Sequence, residues 1–120
     1  MLCLDTYALV EIWRGNPAFL RLFNENFVIT DFALAEFYIF LYKQEKEKEA
    51  DSWNETLSVY SRSISRSTLI KSLKYRYDNK KENLSIIDSV GYIYALENEL
   101  KFVTGDKAFK GKDNVLFIQK

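Results

Sequence analysis

Apolar residues follow two rhythms along this chain. Four short runs, Leu2–Leu4, Phe27-Val28-Ile29-Thr30, Lys101-Phe102-Val103-Thr104 and Val115–Ile118, are nearly continuous in apolar or β-branched residues. Continuous rather than alternating runs of this length predict strands covered on both faces. Between them, apolar positions recur every three or four residues. Tyr7–Trp13 reads as a helix, and Gly15-Asn16-Pro17 stops it and starts a short helix over Pro17–Phe23. Thr30-Asp31 supplies an N-cap for a long helix through about Lys48. Residues Ala50–Lys81 are helical in two pieces, broken around Ser61–Ser67, where four serines cluster. Ser85 caps a last helix, Ile86–Glu99, whose apolar face includes Ile87, Val90, Ile93, Tyr94 and Leu96.

Short buried strands alternating with helices make βα units, hence an α/β fold with a parallel sheet and helices on both faces. Ligands of such sheets bind beyond the carboxyl ends of the strands. Chemistry is therefore expected just after Leu4, Thr30 and Thr104. At 120 residues, 48% apolar and 16% aromatic, with one proline and four glycines, the chain is expected to form a single domain over 1–120.

Net charge is zero, with 17 basic and 17 acidic side chains, so it names no partner. Its distribution is uneven: residues 1–60 carry five basic and ten acidic groups, residues 61–120 twelve and seven. An acidic half joined to a basic half suits a metal site beside a phosphate-binding surface, as it also suits solvated helix faces. The chain has no histidine, which excludes Ser-His-Asp and Cys-His nucleophile systems, zinc sites with His ligands and a histidine base. The single cysteine, Cys3, lies in an apolar run and reads as core. Met1-Leu2-Cys3-Leu4-Asp5 has neither a basic n-region nor a small-residue cleavage site, and the apolar stretch near 32–42 is interrupted by Glu36 and too short to span a bilayer. A soluble cytoplasmic protein is expected.

Four carboxylates fall near the predicted carboxyl edge of the sheet. Asp5 follows the first strand, and Asp106 follows Thr104 after one glycine. Glu36 lies in the second turn of the helix after Thr30, and Asp88 in the first turn of the helix leading to the 101–104 strand. Asp5 and Asp106 equally suit helix or turn caps, and Ser85-Ile86-Ile87-Asp88 resembles a capping box with Asp for Glu. Glu36 is harder to explain locally, because Phe32–Phe40 is apolar nearly all round it and no cation lies within one turn. Clustered carboxylates repel unless protonated or joined by a cation. Hard divalent ions prefer such all-oxygen sets, which suit phosphodiester hydrolysis by a metal-activated water.

The order strand-Asp-Thr (Leu2–Thr6), strand-Thr-Asp…Glu (Phe27–Glu36), Ser-Ile-Ile-Asp-Ser (Ser85–Ser89) and strand-Thr-Gly-Asp-Lys-Ala-Phe (Phe102–Phe109) resembles the PIN domain over essentially the whole chain. The resemblance implies a three-layer α/β/α sandwich with a central parallel sheet of four or five strands. It also implies a Mg²⁺- or Mn²⁺-dependent endoribonuclease with Asp5, Glu36, Asp88 and Asp106 as metal-binding catalytic residues, supported by the hydroxyls of Thr6 and Thr104. Lys107 and Ala108 stand where some members carry a further acid or an asparagine, which implies weaker binding of a second metal. Small free-standing PIN domains resemble VapC toxins, which implies an antitoxin partner and a homodimer. The apolar surplus of 32–42, with Phe37, Tyr38, Phe40 and Tyr42, independently suits an interface.

Arg62, Arg66, Lys71 and Lys74, with Arg76, Lys80 and Lys81 beyond them and Tyr75 and Tyr77 interleaved, read as an RNA-binding stretch or as a solvated helix face. Two other readings stand beside the toxin: a PIN nuclease of RNA maturation without an antitoxin, and a non-catalytic scaffold for RNA or protein.

Overall fold

The computed structural model describes residues 1–119. Five strands, β1 (Leu2–Leu4), β2 (Phe27–Thr30), β3 (Ser61–Arg62), β4 (Lys101–Thr104) and β5 (Val115–Phe117), form one sheet in the order β3-β2-β1-β4-β5. Every pairing is parallel; Cys3 lies opposite Val28 on one side and Phe102 on the other. Six helices complete the chain: α1 (Thr6–Trp13), α2 (Pro17–Leu20), α3 (Asp31–Tyr42), α4 (Glu47–Leu57), α5 (Arg66–Asp78) and α6 (Ile86–Glu97).

The continuous apolar runs are explained by two cores. Leu4, Phe27, Ile29 and Val103 face a core with Leu9 and Ile12 of α1, Phe19 of α2, Phe37 and Leu41 of α3 and Leu57 of α4. Their neighbours Cys3, Val28 and Phe102 face the other side, against Leu84, Tyr92, Ala95 and Phe109. Each central strand therefore buries both faces, the expected three-layer α/β/α sandwich with five strands. Phe102 packs edge-on to Tyr92 and Phe109, with centroids 5.8 and 5.1 Å away.

Several boundaries differ from the sequence reading. The long helix ends at Tyr42, not Lys48, because the chain reverses there. Lys46 N–H donates to Leu41 C=O and Glu45 N–H to Tyr42 C=O, with Glu45 in the left-handed region at φ 60°. The next helix then starts at Glu47 rather than Ala50, and its Glu49 accepts a hydrogen bond from Trp13 Nε1 of α1. The serine-rich break contains β3, a two-residue edge strand without an apolar pattern. The helix after it stops at Asp78 instead of reaching Lys81, and a 3₁₀ turn follows. The last helix ends at Glu97 rather than Glu99, and the Pro17–Phe23 segment is a single α turn continued as 3₁₀. In α3, most of the apolar surplus is absorbed internally: Phe37 and Leu41 are buried, Phe40 packs edge-on against Trp13, and the Tyr38 hydroxyl donates to Asp51 of α4. Ile39 and Tyr42 remain exposed.

Candidate active site

Local caps place the acidic residues at the carboxyl edge of the sheet. Asp5 directly follows β1 and caps α1, its Oδ1 accepting the Ala8 N–H at 2.8 Å. Thr30 ends β2 and caps α3 in the same way, which sets Glu36 in the second turn. Ser85 caps α6 by accepting the Asp88 N–H at 3.0 Å. At the end of β4, Thr104 Oγ1 accepts the Asp106 N–H, and Asp106 Oδ1 accepts the Ala108 N–H, both at 3.0 Å. The capping readings of Asp5 and Asp106 are thus correct, and they do not compete with a site: each cap uses one oxygen and leaves the other.

Asp5, Glu36, Asp88, Asp106 and Thr6 line one cavity of about 270 Å³. Asp5 is buried, and its Oδ2 and the Thr6 Oγ1 are buried without a hydrogen-bond partner among the described residues. Burial pushes the Asp5 carboxyl well above its ordinary value; the Thr104 hydroxyl and the Ala8 amide oppose this, and the charges of Asp88 and Asp106 add to it. Asp88 is pushed up to about 6, first by burial and further by Glu36 and Asp106, against the Ser85 hydroxyl. The four carboxylates thus feel one another across the cavity. Thr104 stands behind Asp5 and Asp106 rather than in the lining. Cys3, beneath Asp5, is held as an inert thiol, its pKa pushed up to about 12 by burial and by that carboxylate.

The same cavity is lined by Tyr7, Val10 and Glu11 of α1 and by Arg14, its C-cap, which sequence reasoning passed over as parts of an ordinary helix. Glu11 is buried, and it accepts from Arg14 Nη1 at 3.0 Å and from Asn16 Nδ2 at 3.1 Å. A signal was present: a glutamate inside the apolar run Tyr7–Trp13 raises the question that Glu36 raised.

The basic stretch is not brought to this cavity. Thr68 and Lys71 of α5 both donate to Glu97, the last residue of α6, whereas Arg76 Nε donates to the Leu84 carbonyl just before α6. The two helices are therefore antiparallel, and Lys71 lies at the end of α6 remote from Asp88, roughly 14 Å along the axis at 1.5 Å per residue. Arg62 Nη1 is held by the Val59 and Ser61 carbonyls; Arg66 and Lys74 are exposed on α5.

Two buried, partnerless oxygens among four mutually repelling carboxylates form an all-oxygen donor set that suits a hard divalent cation in type and number. Among the described residues no three acidic or thiol side chains stand close enough together to make a ready ligand cage.

An open parallel sheet with acids gathered beyond the carboxyl ends of β1 and β4 and on the helices beside them defines an α/β domain with a carboxylate-lined cleft. The chain belongs to the PIN domain family, whose family model matches residues 2–115. No curated protein matches the chain in sequence. Among solved structures, the fold is similar to VapC20 of Mycobacterium tuberculosis, a sarcin–ricin loop cleaving toxin, with a TM-score of 0.80 at 12% identity over all of both chains. A chain of a toxin–antitoxin complex from Klebsiella pneumoniae matches with a TM-score of 0.77 at 19% identity, covering 97% of this chain and 96% of that one. A chain of VapBC2 from Rickettsia felis, bound to a DNA fragment from its promoter, matches with a TM-score of 0.75 at 17% identity over 99% and 98%. No helix among the described residues is long and apolar enough to cross a membrane.

Proposed function

We propose that this chain is a divalent-metal-dependent endoribonuclease, the toxin of a type II toxin–antitoxin pair. The observation that carries this reading is the convergence of Asp5, Glu36, Asp88 and Asp106 on one cavity, from four separate segments, beside two buried oxygens without partners. These four carboxylates would hold Mg²⁺ or Mn²⁺. The bound ion supplies Lewis-acid polarisation of a phosphodiester and lowers the pKa of an attacking water. The chain's own contribution is to fix its donors. The caps on Ala8 and Ala108 orient Asp5 and Asp106, Ser85 orients the turn that carries Asp88, and the Thr6 hydroxyl offers a neutral contact beside them.

RNA as substrate, and an antitoxin as partner, are supported by the family and by the fold shared with the VapC20 toxin and with chains of toxin–antitoxin complexes. A groove of about 610 Å³ lined by Phe32, Ala35, Ile39 and Ile87, with Glu36 and Lys43, opens beside the acidic cavity and offers apolar surface to a protein partner. A homodimer is part of the same proposal.

Purified protein incubated with a mixed structured RNA should cut it with Mg²⁺ or Mn²⁺ and not with EDTA, and Asp5→Asn, folded by circular dichroism, should not cut. Cleavage indifferent to EDTA and to the substitution would sink the mechanism. If neither protein cuts and Mn²⁺ titration releases no heat, the chain is a scaffold.

A further inference from the structure

An anionic substrate approaching four carboxylates needs a cation at the site, and the basic stretch on α5 does not provide one. Arg14 does: among the described residues it is the one cation lining the acidic cavity. Its side chain is 49% exposed, so it stands at the rim, open to a ligand. It is also held in place. Nη1 donates to Glu11, whose side chain is 5% exposed, and the guanidinium lies 6.0 Å from the Phe40 ring centroid. Glu11 is itself fixed by Asn16 Nδ2, and Asn16 caps α2 through Ala18. A guanidinium gripped on one edge keeps its remaining donors in a planar fork, the geometry that binds phosphate oxygens.

We infer that Arg14 binds a backbone phosphate of the RNA at the rim of the cavity, and that Glu11 is the positioning residue that aims it. The inference rests on the nuclease reading above and extends it to the substrate. A purely structural reading makes Arg14 the counter-charge of buried Glu11, and the two differ in what happens when Glu11 is neutralised.

Binding of a fluorescent single-stranded RNA in EDTA, as a function of salt, and steady-state cleavage with Mn²⁺ should be measured for wild type, Arg14→Gln, Arg14→Lys, Glu11→Gln and the double variant Glu11→Gln/Arg14→Gln. Arg14→Gln should raise KM about tenfold with kcat changed much less, as loss of one charge-assisted contact. It should also lower the slope of log Kd against log salt by about 0.7, the value of one single-strand phosphate. Arg14→Lys should keep the salt slope, having kept the charge, while losing part of the affinity with the fork. Glu11→Gln alone should raise KM part of the way, because Arg14 keeps its charge but is no longer aimed; the double variant should bind RNA as weakly as Arg14→Gln, and Mn²⁺ binding by calorimetry should match wild type in all variants. If Arg14→Gln cleaves with wild-type KM and salt slope, or if Glu11→Gln erases its defect, Arg14 is only a counter-charge and the inference falls alone. A wild type that binds no RNA and cuts none overturns the nuclease reading and this inference with it.

Discussion

The Ala8 amide donates to Asp5 Oδ1 at 2.8 Å, and the other oxygen of that carboxylate is buried with no partner among the described residues. One half of the side chain builds the fold and the other half strains it, which separates the stability of this protein from its proposed activity.

Asn accepts the same N-cap bond as Asp without the buried charge. Asp5→Asn should therefore melt about 4 °C higher than wild type in EDTA at pH 7, the shift expected for roughly 1 kcal/mol in a domain of this size, while losing metal-dependent cleavage. Calorimetry in EDTA checks the first part; an unchanged or lower Tm would show that the Asp5 charge is not a burden to the fold.

Asp88 titrates at about 6 in the fold against an ordinary 3.8, so the folded chain binds this proton more tightly than the unfolded one. The resulting destabilisation is fully present above about pH 6, shrinks as pH falls through that value, and is gone below 3.8. In EDTA, Asp88→Asn should thus be more stable than wild type at pH 7 and lose that advantage between pH 6 and pH 4. Urea midpoints for the pair across this range decide it, and a difference independent of pH would refute the shift.

A Cβ on Gly105 would stand 2.2 Å from the ring of Tyr7, which lines the acidic cavity. Gly105→Ala must push that ring aside, at a cost of about 1–3 kcal/mol, and should lower cleavage as Tyr7 and the Thr104–Asp106 turn shift. In a Tyr7→Ala background the same substitution should cost much less, since the obstacle has gone. A double-mutant cycle in chemical denaturation measures this coupling.

Three helices end in the same reversal, with a left-handed residue at Gly15, Glu45 and Glu99. Only the first is glycine. Glu45→Gly and Glu99→Gly, both at exposed positions, should each stabilise by about 1 kcal/mol through relief of the left-handed strain, and Gly15→Ala should destabilise by a similar amount. Equilibrium unfolding of the three variants tests the set.

Those same reversals explain where helix ends were misjudged from sequence. Gly15 followed by Asn16-Pro17 announces its stop, whereas Glu45 and Glu99 sit in charged stretches with no such signal, so the helices before them were read as longer than they are. The edge strand β3 escaped notice because Ser61-Arg62 buries little and has no apolar pattern; its place is fixed by pairing with Ile29 and Thr30. The central strands were legible because a segment packed on both faces must be apolar at every position.

The acids of the cleft were legible for a related reason. In parallel βα units, a polar residue directly after a buried strand must lie at the carboxyl edge, whatever the strand order. That logic located Asp5, Thr6 and Asp106, and the helix starts at Thr30 and Ser85 located Glu36 and Asp88. Glu11 lies a full turn into α1 and Arg14 at its C-cap, where sequence periodicity gives a face but not what the face meets.

Sequence by itself determined the αβ alternation, the buried strands and the set of carboxylates, because each depends on neighbours within a few residues. Only the tertiary structure decided the order β3-β2-β1-β4-β5, the union of Glu11 of α1 and Arg14 at its C-cap with acids from three other segments, and the antiparallel turn that carries Lys71 away from Asp88. Those outcomes depend on which faces pack against the two sides of the sheet, a choice made by long-range burial that no local pattern encodes.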